Sequence, residues 1–224
     1  MKTTRPNYGV GIAFVILLIW VVTLSYSIVF HTINWTNPLN YLLVLAIMHL
    51  YTGLFITAHD AMHGSISSAK WLNNLLGWIC TFLYAFFPLH NLRKKHFLHH
   101  KEVGEERDPD VYHKPFLLWY FTFIKNYFRW WQLLIYAVTF NVLKLWINEA
   151  NLILFWIIPS LLSTLQLFYF GTYLPHRNTP NNKHKSATLS KNHLIAFLSC
   201  YFFGYHYEHH ESPQVPWWML WKTK

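Results

Sequence analysis

Three short histidine clusters stand out in this chain: His59-Asp-Ala-Met-His63, His96-Phe-Leu-His99-His100 and His206-Tyr-Glu-His209-His210. On a helix, residues three and four apart share a face, so each cluster can present two or three imidazole nitrogens in one direction. Neutral imidazole suits iron, zinc and copper alike, and so many ligands imply more than one ion. His176, in Gly171-Thr-Tyr-Leu-Pro-His176-Arg177, closes another apolar run and is the natural ninth. The pattern implies a two-metal site held by His59, His63, His96, His99, His100, His176, His206, His209 and His210, with the ions about 4–6 Å apart.

Familiar soluble designs do not fit. Carboxylate-bridged di-iron bundles need Glu-x-x-His on helix pairs, and here no Glu is followed by His three residues later. Zinc hydrolases of the His-Glu-x-x-His type need a general-base Glu directly after the first of two histidines four apart, and neither His59-Asp60 nor His206-Tyr207-Glu208 matches. An all-histidine ferrous pair keeps open positions for oxygen, and such chemistry attacks unactivated or allylic C–H bonds. Carboxylates near the clusters are candidates to accept the second imidazole N–H and set its tautomer: Asp60, Asp108, Asp110 and Glu208. Tyr84, Phe86 and Phe87, just ahead of the second cluster, are candidates to line a substrate tunnel.

The elements that position these residues are membrane elements. Of 224 residues, 54% are hydrophobic and only 12% charged, about half the charged fraction of a soluble domain. The expected fold is an all-α integral membrane domain over residues 1–224 with four spans, at about 8–30, 38–57, 131–147 and 152–174. The clusters must meet, so they must share a side. Trp71–Pro88 is therefore expected to be re-entrant or interfacial, and Leu194–Gly204 is too short to cross. The first hairpin places His59 on the side of Met1. Trp217, Trp218 and Trp221 with Lys222 and Lys224 read as an interface anchor.

Charge checks this topology. The connections 31–37 and 148–151 hold no Lys or Arg, and apart from Lys144 every basic residue falls on the histidine side, which is thereby cytoplasmic. The same rule accounts for the net charge of +9 without nucleic acid. His49, some ten residues from His59 within the second span, is too deep to join the metals; its expected role is an intramembrane hydrogen bond. His31 lies on the far side, and His90, His113, His184 and His193 are expected at the surface or beside the ligands. Cys80 and Cys200, both in apolar runs, read as buried small side chains.

These residues resemble a known family, the membrane fatty acid desaturase/hydroxylase superfamily with its three histidine boxes. The likeness sharpens in His59-Asp-Ala-Met-His63-Gly64, Lys95-His96-x-x-His99-His100 with Asp108-Pro-Asp110, Phe170-Gly-Thr-Tyr-Leu-Pro-His176-Arg177 and Gly204-Tyr-His206-Tyr-Glu-His209-His210-Glu211. Together they are similar to bacterial-type β-carotene ketolases over nearly the whole chain. Phe97, where many ketolases carry a polar residue or histidine, and His90 are individual. The resemblance implies two non-haem iron ions, O2 as co-substrate and β-carotene as substrate. It also implies ferredoxin or a similar electron donor, and a bacterial inner membrane. Ring C4 would be hydroxylated twice and dehydrated to a ketone, giving echinenone and then canthaxanthin. A carotenoid 3-hydroxylase or a fatty acid desaturase built on the same boxes is the nearest rival. A haem-b electron carrier would need single histidines facing each other inside the spans, whereas these cluster at span ends.

Overall fold

The computed structural model describes residues 8–189 and 192–223. Met1 and Lys224, used above for topology and anchoring, lie outside them. Among the described residues the structure is helical throughout, with one antiparallel bridge, Thr188 to Tyr205.

Helix α1 (Tyr8–Val29) buries Gly9, Ala13, Ile16, Trp20, Leu24 and Ser27, a stripe repeating every three or four residues. Its other faces leave Phe14, Val15, Leu18, Ile19 and Val22 exposed. So broad an apolar surface is what a bilayer covers. Helix α2 (Leu39–His63) continues six residues beyond the expected span end at Thr57 and carries the first cluster on its last turns. It stops at Gly64, whose φ of 71° is the left-handed conformation that glycine adopts freely.

Helix α3 (Lys70–Ala85) ends where Phe86 turns left-handed at φ 55°, and Pro88 opens α4 (Leu89–Lys101), bent 97° from α3. This break is how the run expected to be re-entrant brings the second cluster beside the first. The expected span at 131–147 takes a different form. Helix α6 (Trp130–Leu143) has only 14 residues, about 21 Å, short of the roughly 20 residues that cross a bilayer. It ends in tight turns, Leu145 N–H to Val142 O and Trp146 N–H to Leu143 O. It lies beside the first half of α7 (Glu149–His176), with Tyr136 stacked on Trp156 at 5.5 Å. A separate helix, α5 (Phe116–Tyr127), lies beside the second half, Phe116 meeting Tyr173 at 5.0 Å.

Helix α7 is 28 residues long and contains π turns at Leu152–Ile157 and Tyr169–Tyr173, each just ahead of a proline, Pro159 or Pro175. A proline lacks the N–H that would bond four residues back, and a wider turn absorbs the defect. Among the described residues three helices (α1, α2, α7) are long and apolar enough to cross a membrane, or four spans if the bent α3–α4 pair counts as one.

One polar cluster fixes which helix ends coincide. Asn151 Nδ2 donates to Ser27 O (3.1 Å) and His31 O (2.7 Å), while the His31 ring bonds Asn40 Oδ1 at 2.6 Å. The α1–α2 connection therefore sits against the start of α7, and His63 and His176 lie at the opposite ends of their helices. His49 corrects an expectation: it makes no hydrogen bond. Both its ring nitrogens lack a partner, and the ring stacks on Tyr201 at 4.3 Å. Cys80 and Cys200 are buried and free. Helix α8 (His193–Cys200), α9 (His206–Glu211) and a 3₁₀ turn (Trp217–Lys222) complete the chain, with Trp217 and Leu220 buried.

Candidate metal centre

The nine histidines converge in two groups. His59, His63, His96, His100 and His209 bring ring nitrogens within 4.8 Å of one another; His99, His176, His206 and His210 do the same. Helix geometry explains the division. At 100° per residue, i and i+4 are 40° apart, whereas i+3 and i+4 are 100° apart. In the second cluster His96 and His100 point one way and His99 the other. In the third, His206 and His210 face the group of His99, and His209 faces the group of His96.

The contacts within the first group are too many for hydrogen bonds. Along the row His59, His209, His100, His96, His63, successive Nε2 atoms lie 3.1, 2.9, 3.0 and 2.7 Å apart. A ring nitrogen carries a hydrogen or an in-plane lone pair, never both, so only alternate contacts in this row can be hydrogen bonds. A cation in the middle satisfies all the lone pairs at once. With metal–nitrogen bonds of about 2.1 Å, ligands at a right angle are about 3.0 Å apart, matching the observed spacing. In the second group His210 Nε2 lies 3.1 Å from His99 Nε2 and 3.0 Å from His206 Nε2. His176 Nε2 is buried there with no hydrogen-bond partner.

The outer nitrogens orient several rings. His99 Nδ1 lies 2.9 Å from Asp108 Oδ1, His176 Nδ1 donates to Lys185 O at 2.8 Å, and His59 Nδ1 lies 3.3 Å from Asp60 Oδ1. The Lys185 carbonyl can only accept and Asp108 is held ionised, so His176 and His99 carry the hydrogen on Nδ1 and leave Nε2 as a lone-pair donor. Asp60 Oδ2 also accepts from Trp217 N–H (2.9 Å), tying the C-terminal turn to the first cluster. Asp108 accepts from the backbone N–H groups of Gly104 and Asp110. Burial alone would raise Asp108, but the His99 bond and these N–H donors hold it below the ordinary carboxylate range. Asp110, 3.9 Å from His99 Nδ1, accepts from the Tyr127 hydroxyl, and burial pushes it up to about 6. Glu208 is placed differently: both its oxygens accept from the Thr188 hydroxyl (2.8 and 2.7 Å). Burial, and then the neighbouring rings, hold His206, His209 and His210 well below the usual histidine range, so they are neutral as ligation requires.

An apolar cavity of about 720 Å³ ends on this centre, where His59, His96, His99 and His206 form part of its wall. Along α7 its lining runs from Thr172 to Ile157, about 22 Å at 1.5 Å per residue. Phe121, Leu133 and Leu161 line it and are 63%, 62% and 60% exposed, so it opens on the apolar surface of the helices. Tyr84 and Phe87 line it. Phe86 does not: at its left-handed cap it packs on Phe82 and Tyr136 instead.

Several site residues gave no signal in the spacing of the clusters. Phe203 packs on His59 (4.7 Å), His206 (5.3 Å) and His209 (5.4 Å). Gly171 leaves room for it, since a Cβ there would lie 2.9 Å from Phe203 Cδ1. A glycine inside a helical run was the available clue. For Lys185, which contributes only a carbonyl, there was none.

A helical protein with apolar helices long enough to cross a membrane and a histidine site suited to metal is what this fold and site define. The chain belongs to the fatty acid desaturase family, whose model matches residues 33–148 and 125–224. Within that family it is similar to several ketolases. It is 36% identical to the beta-carotene ketolase of Paracoccus sp. (strain PC1), over 96% of this chain and 92% of that protein. It is 43% identical to the beta-carotene ketolase of Haematococcus lacustris, over 76% of this chain and 58% of the other. The zeaxanthin 4-ketolase of Chlamydomonas reinhardtii is 37% identical over 96% of this chain, which spans 53% of that protein. The chain thus covers little more than half the length of these algal relatives. No solved structure matches it.

Proposed function

We propose that the chain is an O2-dependent di-iron carotenoid ketolase that converts the C4 methylene of a β-ionone ring to a ketone, taking β-carotene through echinenone to canthaxanthin. The observation that carries this reading is the junction of a lipid-open apolar cavity with nine inward-facing histidines in two groups. The ketolase relatives supply the substrate class.

In this reading His59, His63, His96, His100 and His209 hold one iron, and His99, His176, His206 and His210 the other. Iron so bound supplies the oxygen activation needed to remove hydrogen from an allylic C–H bond. The chain's own groups do the rest. Asp108 and the Lys185 carbonyl fix the tautomers of His99 and His176. The cavity would admit a rod-shaped apolar substrate from the bilayer, exclude water along its length and deliver the ring to the wall formed by His59, His96, His99 and His206. Two hydroxylations at one carbon give a geminal diol, and loss of water leaves the ketone. Each hydroxylation consumes one O2, two electrons and two protons and releases one water, so an external electron donor is required.

The proposed setting is a bacterial inner membrane crossed four times, the third crossing made by α5 and α6 together. The histidines face the cytoplasm, a placement supported by the absence of Lys and Arg from 31–37 and 148–151. Expression in a β-carotene-accumulating bacterium tests the function. Echinenone and canthaxanthin are the expected products; unchanged β-carotene with protein present in the membrane would overturn the reading.

A further inference from the structure

Phe97 and the basic residues beside it on α4 take no part in lining the apolar cavity. Phe97 is 43% exposed, yet its ring meets His63 edge-on at 5.4 Å and lies 6.1 Å from His96. It is therefore the only solvent-reaching aromatic among the described residues with ring contacts to two members of the five-histidine group. Residues three and four away on a helix surround it on the same side, and here these are Arg93, Lys94 and Lys101 beside the ligand candidate His100. Lys94 and Lys101 are exposed.

A second, polar cavity of about 360 Å³ adjoins this face, lined by His63, Phe97, Lys70, Arg93, Asn73 and Ser67 among others, with no carboxylate in its wall. Arg93 Nη2 donates to Asn74 Oδ1 at 2.9 Å, while its buried Nε has no partner. The polar lining marks this as the water-facing approach to the centre, distinct from the apolar cavity reached from lipid.

We propose that a small acidic one-electron carrier protein docks here, its acidic rim on Lys70, Arg93, Lys94 and Lys101, and passes electrons through Phe97 to the rings of His63 and His96. The proposal rests on the oxygenase reading, whose stoichiometry requires two electrons per oxygen inserted. The carrier is oxidised by one electron at each visit, and two visits serve one hydroxylation. Positive charge around an aromatic contact favours an acidic partner protein, and steering of this kind is sensitive to salt.

The test uses the full chain in nanodiscs of zwitterionic lipid and an acidic [2Fe–2S] ferredoxin as probe, with binding measured directly rather than through turnover. The expected result is wild-type binding that weakens as salt rises, and a loss of roughly tenfold or more in Arg93→Glu/Lys94→Glu. Lys101→Glu, at an exposed position where folding is not at stake, moves binding in the same direction, and Arg93→Lys restores it. Lys125→Glu and Lys222→Glu, exposed elsewhere, leave it unchanged. Equal ferredoxin affinity in all the charge-reversed variants overturns the proposal. So does the same equality with loss of retained phosphatidylglycerol, which would assign the patch to a lipid headgroup. Salt-sensitive, variant-sensitive binding to a chain that leaves β-carotene unchanged would uphold the docking site while the ketolase reading failed.

Discussion

His99 and Asp108 are joined by a 2.9 Å contact between Nδ1 and Oδ1, with both side chains buried. Asp108 reaches that position from a loop nine residues further on, held by the N–H groups of Gly104 and Asp110. Loss of such an outer partner typically weakens metal binding 10–100-fold. Asp108→Asn is therefore expected to lower retained metal by about that factor in a competition with chelator, while protein in the membrane stays at the wild-type level. Wild-type retention would remove Asp108 from the account.

His209 Nε2 lies 3.1 Å from His59 Nε2 and 2.9 Å from His100 Nε2, bridging α2 and α4 within the five-histidine row. His209→Ala and His99→Ala are each expected to abolish ketone formation in a pigment assay without loss of the folded protein. Full activity in either would disprove the ligand set.

His49 gives the contrasting outcome. Its ring nitrogens are buried without partners, a state that costs about 1–3 kcal/mol per unsatisfied group. His49→Phe keeps the stacking surface against Tyr201 and removes the polar atoms, so the thermal midpoint is expected to stay level or rise, with ketone formation retained. Loss of activity at an unchanged midpoint would show that His49 has a chemical role.

Gly171→Ala places a Cβ 2.9 Å from Phe203 Cδ1, and Phe203 packs on three of the histidines. Overpacking of this kind costs about 1–3 kcal/mol. The expected result is a lower thermal midpoint together with reduced ketone yield, recovered in part by Phe203→Leu in the same chain. An unaffected Gly171→Ala protein would mean that Phe203 moves aside freely.

The proposed topology puts 148–151 on the side away from the histidines, beside the α1–α2 connection that Asn151 grips. A cysteine introduced at Asn148 is expected to react with a membrane-impermeant reagent added outside intact cells. Protection there, with labelling from the cytoplasmic side, would invert the orientation.

What the sequence disclosed follows physical rules that act locally. Spacings of three and four are a property of one helix, so the clusters and their convergence were legible, as were α1 and, to within three residues at either end, the bounds of α7. The division into five and four was not, because it depends on how three helices are rotated against one another. Asp60, next to His59 in sequence, stays near it. Glu208 is two residues from His206, about 200° around the helix, and so turns away to Thr188. The apolar stretch 131–147 looked continuous, but hydropathy does not register that α6 stops at Leu143 and that α5 runs beside the other half of α7. Phe86 belonged to an aromatic run and left the cavity only because the chain turns left-handed at that residue.

The central claim is that nine histidines hold two irons, and metal analysis of the purified, detergent-solubilised protein tests it most directly. The account predicts about two irons per chain, as two groups of this kind require, with His176→Ala losing iron from the four-histidine group while the other group retains its own. One metal per chain, zinc in place of iron, or an iron content unmoved by His176→Ala would contradict it.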